Sequence, residues 1–525
     1  RRKRNEFPDP DTRVFINTDV CEGCGDCGVQ SNCVSLVPVE TELGRKRAID
    51  QSSCNKDYSC LRGFCPSFVT LNGARRRKGG GRVLDLPDLP DPVLPEIHGT
   101  HNVVITGVGG TGVVTLGAVL AQAAQISGLG AGMMEMAGLA QKGGAVHIHL
   151  RLAKRPEDIS AVRVALGEAH ALIGGDLVVS AGAKTLGLTR RGVTGAVVNS
   201  HEIITGDFTR NTEFAIPSDQ LRLSLEARLK DRLALFDATE LAQASMGDSI
   251  YSNMMILGAA WQRGLLPLPM DAIAEALRLN GAAVDQNLRA FAIGRWAVVA
   301  PAEAAALSAP KVVTLPRTLE ERISFRADHL VAYQGAALAR RYRTRLEGIT
   351  DARLREAVAL GYHKLLAPKD EYEVARLHRD TRRKAEAMFE PGFDMAFHLA
   401  PPLLARQGSD GRPVKRRFGG WMLRGFALLA RLRVLRGTPL DPFGYSADRR
   451  LERALRTQYE ADLDEVLPRL TPATRDAIVA LAELPLQIRG FGPVKEANAE
   501  KAALRREELL AVIRAGGAPL SQAAE

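Results

Sequence analysis

An α/β fold class is predicted for this chain, with a small cysteine-rich region ahead of the α/β part and a mainly α-helical region behind it. Three observations predict it. All seven cysteines of the 525 residues fall between Cys21 and Cys65. From Asn102 to about residue 310, apolar runs ending in glycine turns alternate with helical patterns. Beyond that point charged helical periodicity, rich in Arg, Ala, Leu and Glu, takes over. The length suits roughly three domains. Hydrophobic residues make up 46%, enough for sizeable cores.

The first region is organised by its thiols. Cys21-Glu-Gly-Cys24-Gly-Asp-Cys27 has C-x2-C-x2-C spacing, which wraps one corner of a cubane cluster. The interleaved glycines let the backbone pass close to inorganic sulfide, often with φ > 0. A distant Cys followed by Pro completes the bacterial ferredoxin pattern, and Cys65-Pro66 supplies it. The expectation is one [4Fe–4S] cluster on Cys21, Cys24, Cys27 and Cys65. A second would use Cys33, Cys54 and Cys60, with Asp57 standing where the middle cysteine of a second motif belongs. Carboxylate oxygen is a harder, more exchangeable iron ligand than thiolate, so this second cluster is expected to lose an iron readily. Zinc is the rival reading, although structural zinc prefers separated C-x2-C pairs. A disulfide framework suits neither the tight spacing nor the cysteine-free remainder. Glu22, Asp26 and Lys56 read as solvated loop charges.

Val14-Phe-Ile reads as a short strand and Phe68-Val-Thr70 as its pairing strand. A hairpin of this size owns no core, so clusters are expected to hold residues 12–72 together. Residues 1–72 are thus a ferredoxin-like iron–sulfur region. Residues 73–99 read as a linker, flexible around Gly79-Gly80-Gly81 and extended where Pro87, Pro90, Pro92 and Pro95 recur.

Residues 100–310 form the α/β domain. Val103-Val104-Ile105 is a strand running into Gly107-Val-Gly109-Gly110-Thr-Gly112, and a helix follows from Val113. Strand, glycine turn, helix is the context in which G-x-G-x-x-G marks a dinucleotide or phosphate site. Gly107, Gly109, Gly110 and Gly112 are therefore candidate cofactor-binding positions, with Glu135 near the place of a ribose-binding acid. Tight strand–helix packing uses the same glycines equally well. His147 and His149 share one face of a strand at 146–150, and a solvent or domain contact is expected there rather than metal. Strands are expected at Ala171–Gly174, Leu177–Ser180, Gly195–Asn199 and Leu233–Phe236. Helices are expected near Ser224–Asp231, Asp237–Ala244, Asn253–Arg263, Met270–Leu279 and Ala282–Val298. That alternation predicts a doubly wound, Rossmann-like parallel sheet covered on both faces.

Residues 311–525 read as a mainly helical domain. Candidate helices cover Leu319–Leu346, Asp351–Ala367, Glu371–Phe389, Ala447–Leu467, Thr474–Ala482 and Val494–Ala515. Neither an internal repeat nor a catalytic motif is present there.

Charge narrows the function class. The chain carries 70 Lys and Arg against 60 Asp and Glu, a net +10. The excess is diffuse, and the basic clusters Arg1–Arg4, Arg75–Lys78 and Lys415–Arg417 lack aromatic interleaving, so no nucleic acid is expected. A small acidic ferredoxin fits such a surface. No run of about 18 apolar residues predicts a membrane span, and no signal peptide is read. The first residue is Arg1, not Met, so a processed product or part of a longer polypeptide is expected. Reduced thiols point to cytoplasm.

Taken in order, several stretches resemble the long fused form of indolepyruvate:ferredoxin oxidoreductase, within the 2-oxoacid:ferredoxin oxidoreductase family. They are the Cys21–Cys27 motif with Cys65-Pro66, Gly107–Gly112, Gly138–Ala145, Gly247-Asp-Ser-Ile-Tyr-Ser-Asn253, Lys369–Arg376, Pro439–Tyr445 and Ile488-Arg-Gly-Phe-Gly492. The resemblance implies oxidation of an aryl pyruvate with coenzyme A to an aryl-acetyl-CoA and CO2, with electrons leaving to ferredoxin. It implies that thiamine diphosphate and Mg serve the carbon chemistry, and that 100–310 is a gamma-type domain, Rossmann-like but not an NAD site. The Gly-Asp-Gly motif of the family's thiamine domain is absent here; Gly247-Asp248 is followed by Ser249. The thiamine-binding domains are thus expected elsewhere, on the same polypeptide or another subunit, and a homo-oligomer is expected. No catalytic residue is assigned. An NAD(P)H- or flavin-linked iron–sulfur reductase and a zinc-stabilised binding module are the alternatives.

Overall fold

The computed structural model describes residues 10–77, 84–109, 112–137, 144–203, 216–309, 318–401, 407–408 and 412–517. Strand β1 (Thr12–Ile16) and strand β4 (Phe68–Asn72) pair antiparallel, with Val14 opposite Thr70. Between them, β2 (Leu36–Val39) and β3 (Lys46–Ile49) make a separate two-stranded ribbon. Their alternating apolar side chains close over the cysteine loops through Val14, Ile16, Leu36, Ile49 and Phe68.

The central sheet has six strands: β5 (Thr100–Val108), β6 (Gly130–Ala137), β7 (Ala145–Ala153), β8 (Ala171–Gly174), β9 (Gly195–Asn199) and β10 (Leu233–Phe236). Their order is β10-β9-β8-β5-β7-β6. Strands β5, β8, β9 and β10 run parallel, as the alternation of strands and helices predicts. Strand β7 corrects the all-parallel expectation, because it is antiparallel to both β5 and β6. Only residues 138–144 separate β6 from β7, too few for a crossover helix, so the chain must turn back.

Alternation along β5 feeds two cores. Val103 and Ile105 join the helix Val113–Ile126 and the helices after residue 250, whereas Val104 joins Leu172, Leu177, Val198 and Leu225 on the other face. Leu177–Ser180 is a short helix rather than the expected strand. The carboxylate of Asp176 accepts a hydrogen bond from the Val179 N–H at 2.8 Å and caps it. Within 84–99, expected as a free linker, Leu84, Leu86, Leu89 and Leu94 pack on the larger core. Arg295 holds the segment there, donating to the Pro90 carbonyl and to Asp91.

The C-terminal region is helical around its own core, including Leu330, Tyr342, Tyr362, Leu463 and Leu509. The helix expected over Leu319–Leu346 breaks into Leu319–Tyr333 and Ala336–Leu346 at Gly335, whose φ is 133°. The one expected over Glu371–Phe389 divides into Glu371–His378 and Thr381–Glu386. Two further strands come from this region: β11 (Asp394–Leu399) and β12 (Arg416–Gly419). Strand β11 pairs antiparallel with β4, placing Phe397 opposite Val69, and β12 is the outer edge.

The four-stranded sheet β1-β4-β11-β12 therefore joins residues from both ends of the chain. Phe15, Val69 and Leu71 share a core with Phe389, Phe393, Phe397 and Phe426. The expectation that residues 12–72 lack a core and depend on clusters alone is thereby corrected: the helical region supplies one. Among the described residues no single helix is long and apolar enough to cross a membrane.

Candidate functional site

The cysteine loops are built on glycine and on close backbone contact. Gly23 has φ 70°, and a Cβ there would lie 2.0 Å from the Arg45 carbonyl oxygen. Gly25, at φ 78°, starts the helix Asp26–Ser31 and carries Cys27 inward. The turn Ser59–Arg62 carries Cys60 and leads to Gly63, where a Cβ would come within 2.8 Å of the Cys27 Cα.

All seven cysteines are free thiols, so the disulfide reading does not hold. Their mutual electrostatics divide them into two groups. Burial, and then the neighbouring thiols, push Cys24 and Cys27 up; the neighbours are Cys21 and Cys65 for Cys24, and Cys21, Cys24 and Cys65 for Cys27. Burial and Cys21 push Cys65 up to about 11. Burial, then Cys33, Cys54 and Asp57, push Cys60 up to about 12, and Cys54 responds to burial, Cys33 and Asp57 in the same direction. The groups are Cys21, Cys24, Cys27 and Cys65, and Cys33, Cys54 and Cys60 with Asp57. Four members are buried: Cys21, Cys27, Cys60 and Cys65. Asp57 is exposed, and its carboxylate accepts from the Ser59 N–H at 3.1 Å and hydroxyl at 2.8 Å. Among the described residues, no group of three or more His, Cys, Asp or Glu side chains is arranged to hold a single metal ion.

Donors meet the sulfurs. The Gly23 N–H points at Cys21 Sγ at 3.3 Å, and Ser67 Oγ lies 2.9 Å from Cys65 Sγ. At Cys65 the Ser67 hydroxyl and N–H favour thiolate over thiol, against the pull of burial.

The surrounding charges correct the expectation of a solvated loop. Glu22 is buried, contacts Lys364 and lies 3.1 Å from Lys369. Burial pushes its carboxyl up, but Lys364, Lys369 and Lys46 outweigh this and hold it well below the usual carboxylate range. Lys369 Nζ also donates to the Cys21 carbonyl at 2.8 Å. Lys46, buried beside Lys369, is pushed down to about 7 by desolvation and like charge. Asp26 is buried, accepting from the Phe64 N–H at 2.6 Å and Arg412 at 3.2 Å. Lys56 is buried and donates to the Pro10 carbonyl at 2.8 Å.

Sequence reasoning missed the lid over this site. Phe491 packs on the cysteine core, and a Cβ at Gly490, φ 107°, would sit 3.4 Å from Cys24 Cβ. Lys415 donates to the Gly63 carbonyl at 2.5 Å and lies 4.9 Å from the Phe68 ring; burial pushes its ammonium down, against the pull of Cys65 and Cys60. The Gly-Phe-Gly spelling at 490–492 was the one local signal; nothing near Lys364 or Lys415 in sequence points to cysteines.

The glycine turn lies far from these loops in the chain. Gly107 abuts Val113, with a Cβ there only 2.4 Å from Val113 Cγ2, and Gly109 donates its N–H to the Gly144 carbonyl at 2.8 Å. Gly112, at φ 86°, caps the helix Val113–Ile126 against Asn253. Gly110 lies outside the described residues, as do positions 138–143 of the second glycine-rich loop. Glu135 is exposed on the edge strand β6, with β7 between it and β5, away from the place of a ribose-binding acid. His147 and His149 are buried, correcting the expectation of a solvent or domain contact. His147 Nε2 meets the Thr185 hydroxyl at 3.1 Å, and His149 Nδ1 accepts from the Val164 N–H at 2.8 Å.

Comparison with known proteins places two segments. A family model described as pyruvate ferredoxin/flavodoxin oxidoreductase matches residues 102–297, and a family of unknown function, DUF6537, matches residues 319–508. The indolepyruvate oxidoreductase subunit IorB of Archaeoglobus fulgidus is 29% identical over 200 residues, 37% of this chain and 92% of that protein. The subunit of the same name from Thermococcus kodakarensis is 27% identical over 197 residues, 37% of this chain and 94% of that protein. Among solved structures, the pyruvate oxidoreductase subunit PORC of Thermotoga maritima is 17% identical and covers 38% of this chain and 96% of its own, with a TM-score of 0.28. Most of the α/β region, residues 102–297, is thus similar to the pyruvate ferredoxin/flavodoxin oxidoreductase family.

Proposed function

We propose that this chain is the electron-conducting portion of an indolepyruvate:ferredoxin oxidoreductase, acting in the cytoplasm. In this reading an aryl pyruvate such as indole-3-pyruvate, coenzyme A and oxidised ferredoxin yield the aryl-acetyl-CoA, CO2 and reduced ferredoxin. Thiamine diphosphate and Mg belong to partner domains that break the carbon–carbon bond. The observation that supports the reading is the burial of Cys21, Cys27, Cys60 and Cys65 in one apolar core, with Cys33 and Cys54 packed on it, at the spacing that ferredoxin-type ligation uses.

The donor chemistry suits [4Fe–4S] clusters. Cys21, Cys24, Cys27 and Cys65 would hold the first; Cys33, Cys54, Cys60 and Asp57 would hold the second. Iron bound there would supply the positive charge that makes buried adjacent thiolates tolerable, and such clusters would carry one electron at a time. The chain's own residues do the rest. Gly23, Gly25 and Gly63 allow the backbone to approach closely. The Gly23 N–H and Ser67 hydroxyl orient sulfur lone pairs. Phe491 and the neighbouring apolar side chains keep water from the first group. Asp57 is exposed and shared with Ser59, so a cluster held by it would be the labile one.

The test is iron and sulfide assay with electron paramagnetic resonance on protein prepared without air. Two clusters, at about four irons each, are expected. Brief exposure to air should convert the second to a three-iron form, and Asp57→Cys should prevent that conversion. Zinc, or thiols without metal, in such material would end the reading.

A further inference from the structure

The outer edge strand and the helix after it carry a surface that the electron path through the cysteines does not explain. Strand β12 pairs on one side only, with β11. Arg416 and Arg417 on it are exposed. The helix Met422–Arg431 follows directly. Its inner side places Phe426 in the core with Phe397, and Met422, Leu423 and Leu429 pack against that core. Its outer side is a continuous stripe at helical spacing: Trp421, Arg424, Leu428 and Arg431. Trp421 is 65% exposed and Leu428 61%, and Val414, one residue ahead of Lys415, is 50% exposed. Among the described residues, Arg416, Arg417, Arg424 and Arg431 make no ion pair with an acid.

Charged residues on an edge strand commonly serve to block edge-to-edge aggregation. That role accounts for Arg416 and Arg417. It leaves unexplained an exposed tryptophan and leucine set between arginines on the adjoining helix. Apolar anchors ringed by cations are the composition of a docking surface for an anionic protein. The position adds a reason. Lys415, immediately before β12, donates to the Gly63 carbonyl, and Gly63 lies against the Cys27 backbone. Arg412 reaches Asp26 beside Cys27. A protein seated on β12 and this helix would lie beside residues 412–415, which touch Asp26 and Gly63 next to the first thiol group.

We infer that the β12 edge and the Trp421–Arg431 helix face form the docking surface for a small acidic electron-carrier protein of the ferredoxin kind. The inference rests on the iron–sulfur reading above. The arginines steer an acidic surface and set its orientation; Trp421 and Leu428 supply the apolar contact that holds it.

The test is calorimetric titration of the full chain, prepared without air, with a small acidic two-cluster bacterial ferredoxin at low salt and again at about 0.5 M salt. Wild-type protein should bind at low salt and lose affinity at high salt. The double variant Arg417→Glu with Arg424→Glu, and separately Trp421→Ala, should each raise the Kd by about tenfold or more. Arg424→Glu alone, on the solvent side of its helix, gives an independent answer if the double variant does not fold. Unchanged affinity in folded variants, or no wild-type binding, overturns the inference. So does a variant whose main effect is altered self-association in sedimentation, because the face would then join copies of this chain. Iron and sulfide are measured in the same samples, so failure of docking and failure of the iron–sulfur reading register separately.

Discussion

Asp176 shows how one side chain links a turn to the behaviour of the whole protein. It is fully buried and caps the helix Leu177–Ser180, accepting from the Val179 N–H at 2.8 Å, and burial pushes its carboxyl up to about 6. The folded molecule thus keeps this proton to higher pH than the unfolded chain. Its contribution to stability is whole below about pH 4 and is lost as pH rises through about 6. Asp176→Asn keeps the cap without the charge. Denaturant unfolding should show the variant equal to wild type near pH 4 and more stable at pH 7.5, by at most about 3 kcal/mol. At this scale the gathering of the cysteines was legible, because C-x2-C-x2-C spacing leaves few ways to arrange three thiols, and Cys21, Cys27, Cys60 and Cys65 do share one buried core. The environment of Glu22 was not legible: Lys364 stands 342 residues away, and no local pattern announces it.

Helices were largely readable from periodicity and caps, and their contacts were not. The helices Ser252–Gln262 and Val284–Val299 cross at two glycines. A Cβ on Gly294 would lie 1.9 Å from the Met255 carbonyl oxygen, and one on Gly258 would lie 2.0 Å from that of Phe291. Both are backbone contacts, so no side chain can swing aside. Gly294→Ala should therefore destabilise by about 1–3 kcal/mol, read as a lower midpoint in urea unfolding, despite the better helix propensity of alanine. In a single sequence both glycines look like weak spots in good helices. The same blindness explains Leu177–Ser180, whose apolar run reads as a strand until the Asp176 cap is seen. It also explains Gly335, where the positive φ that ends a helix leaves no periodic trace.

At the scale of the molecule, two of the three regions were legible as separate blocks, and their interdependence was not. Alternating β and α patterns placed the six-stranded sheet, although the β6–β7 return needed the short loop length to be weighed against the habit of parallel crossovers. Nothing in the run Asp394–Leu399 says that it pairs with β4 rather than with a neighbour. The pairing makes a prediction. A shortened chain ending at residue 310 loses β11, β12, Phe389, Phe397 and the Phe491 lid. Purified without air, it should retain well under half the iron of the full chain, as measured by colorimetric assay. The same pairing bears on synthesis. Strand β4 leaves the ribosome roughly 320 residues before β11 follows, a delay on the order of half a minute at ordinary elongation speeds. Throughout that interval seven reduced thiols sit on a nascent segment whose sheet is unfinished. On the proposed iron–sulfur reading, stable cluster insertion would then come after translation is nearly over, and the newborn protein would be most vulnerable to oxidants in that window.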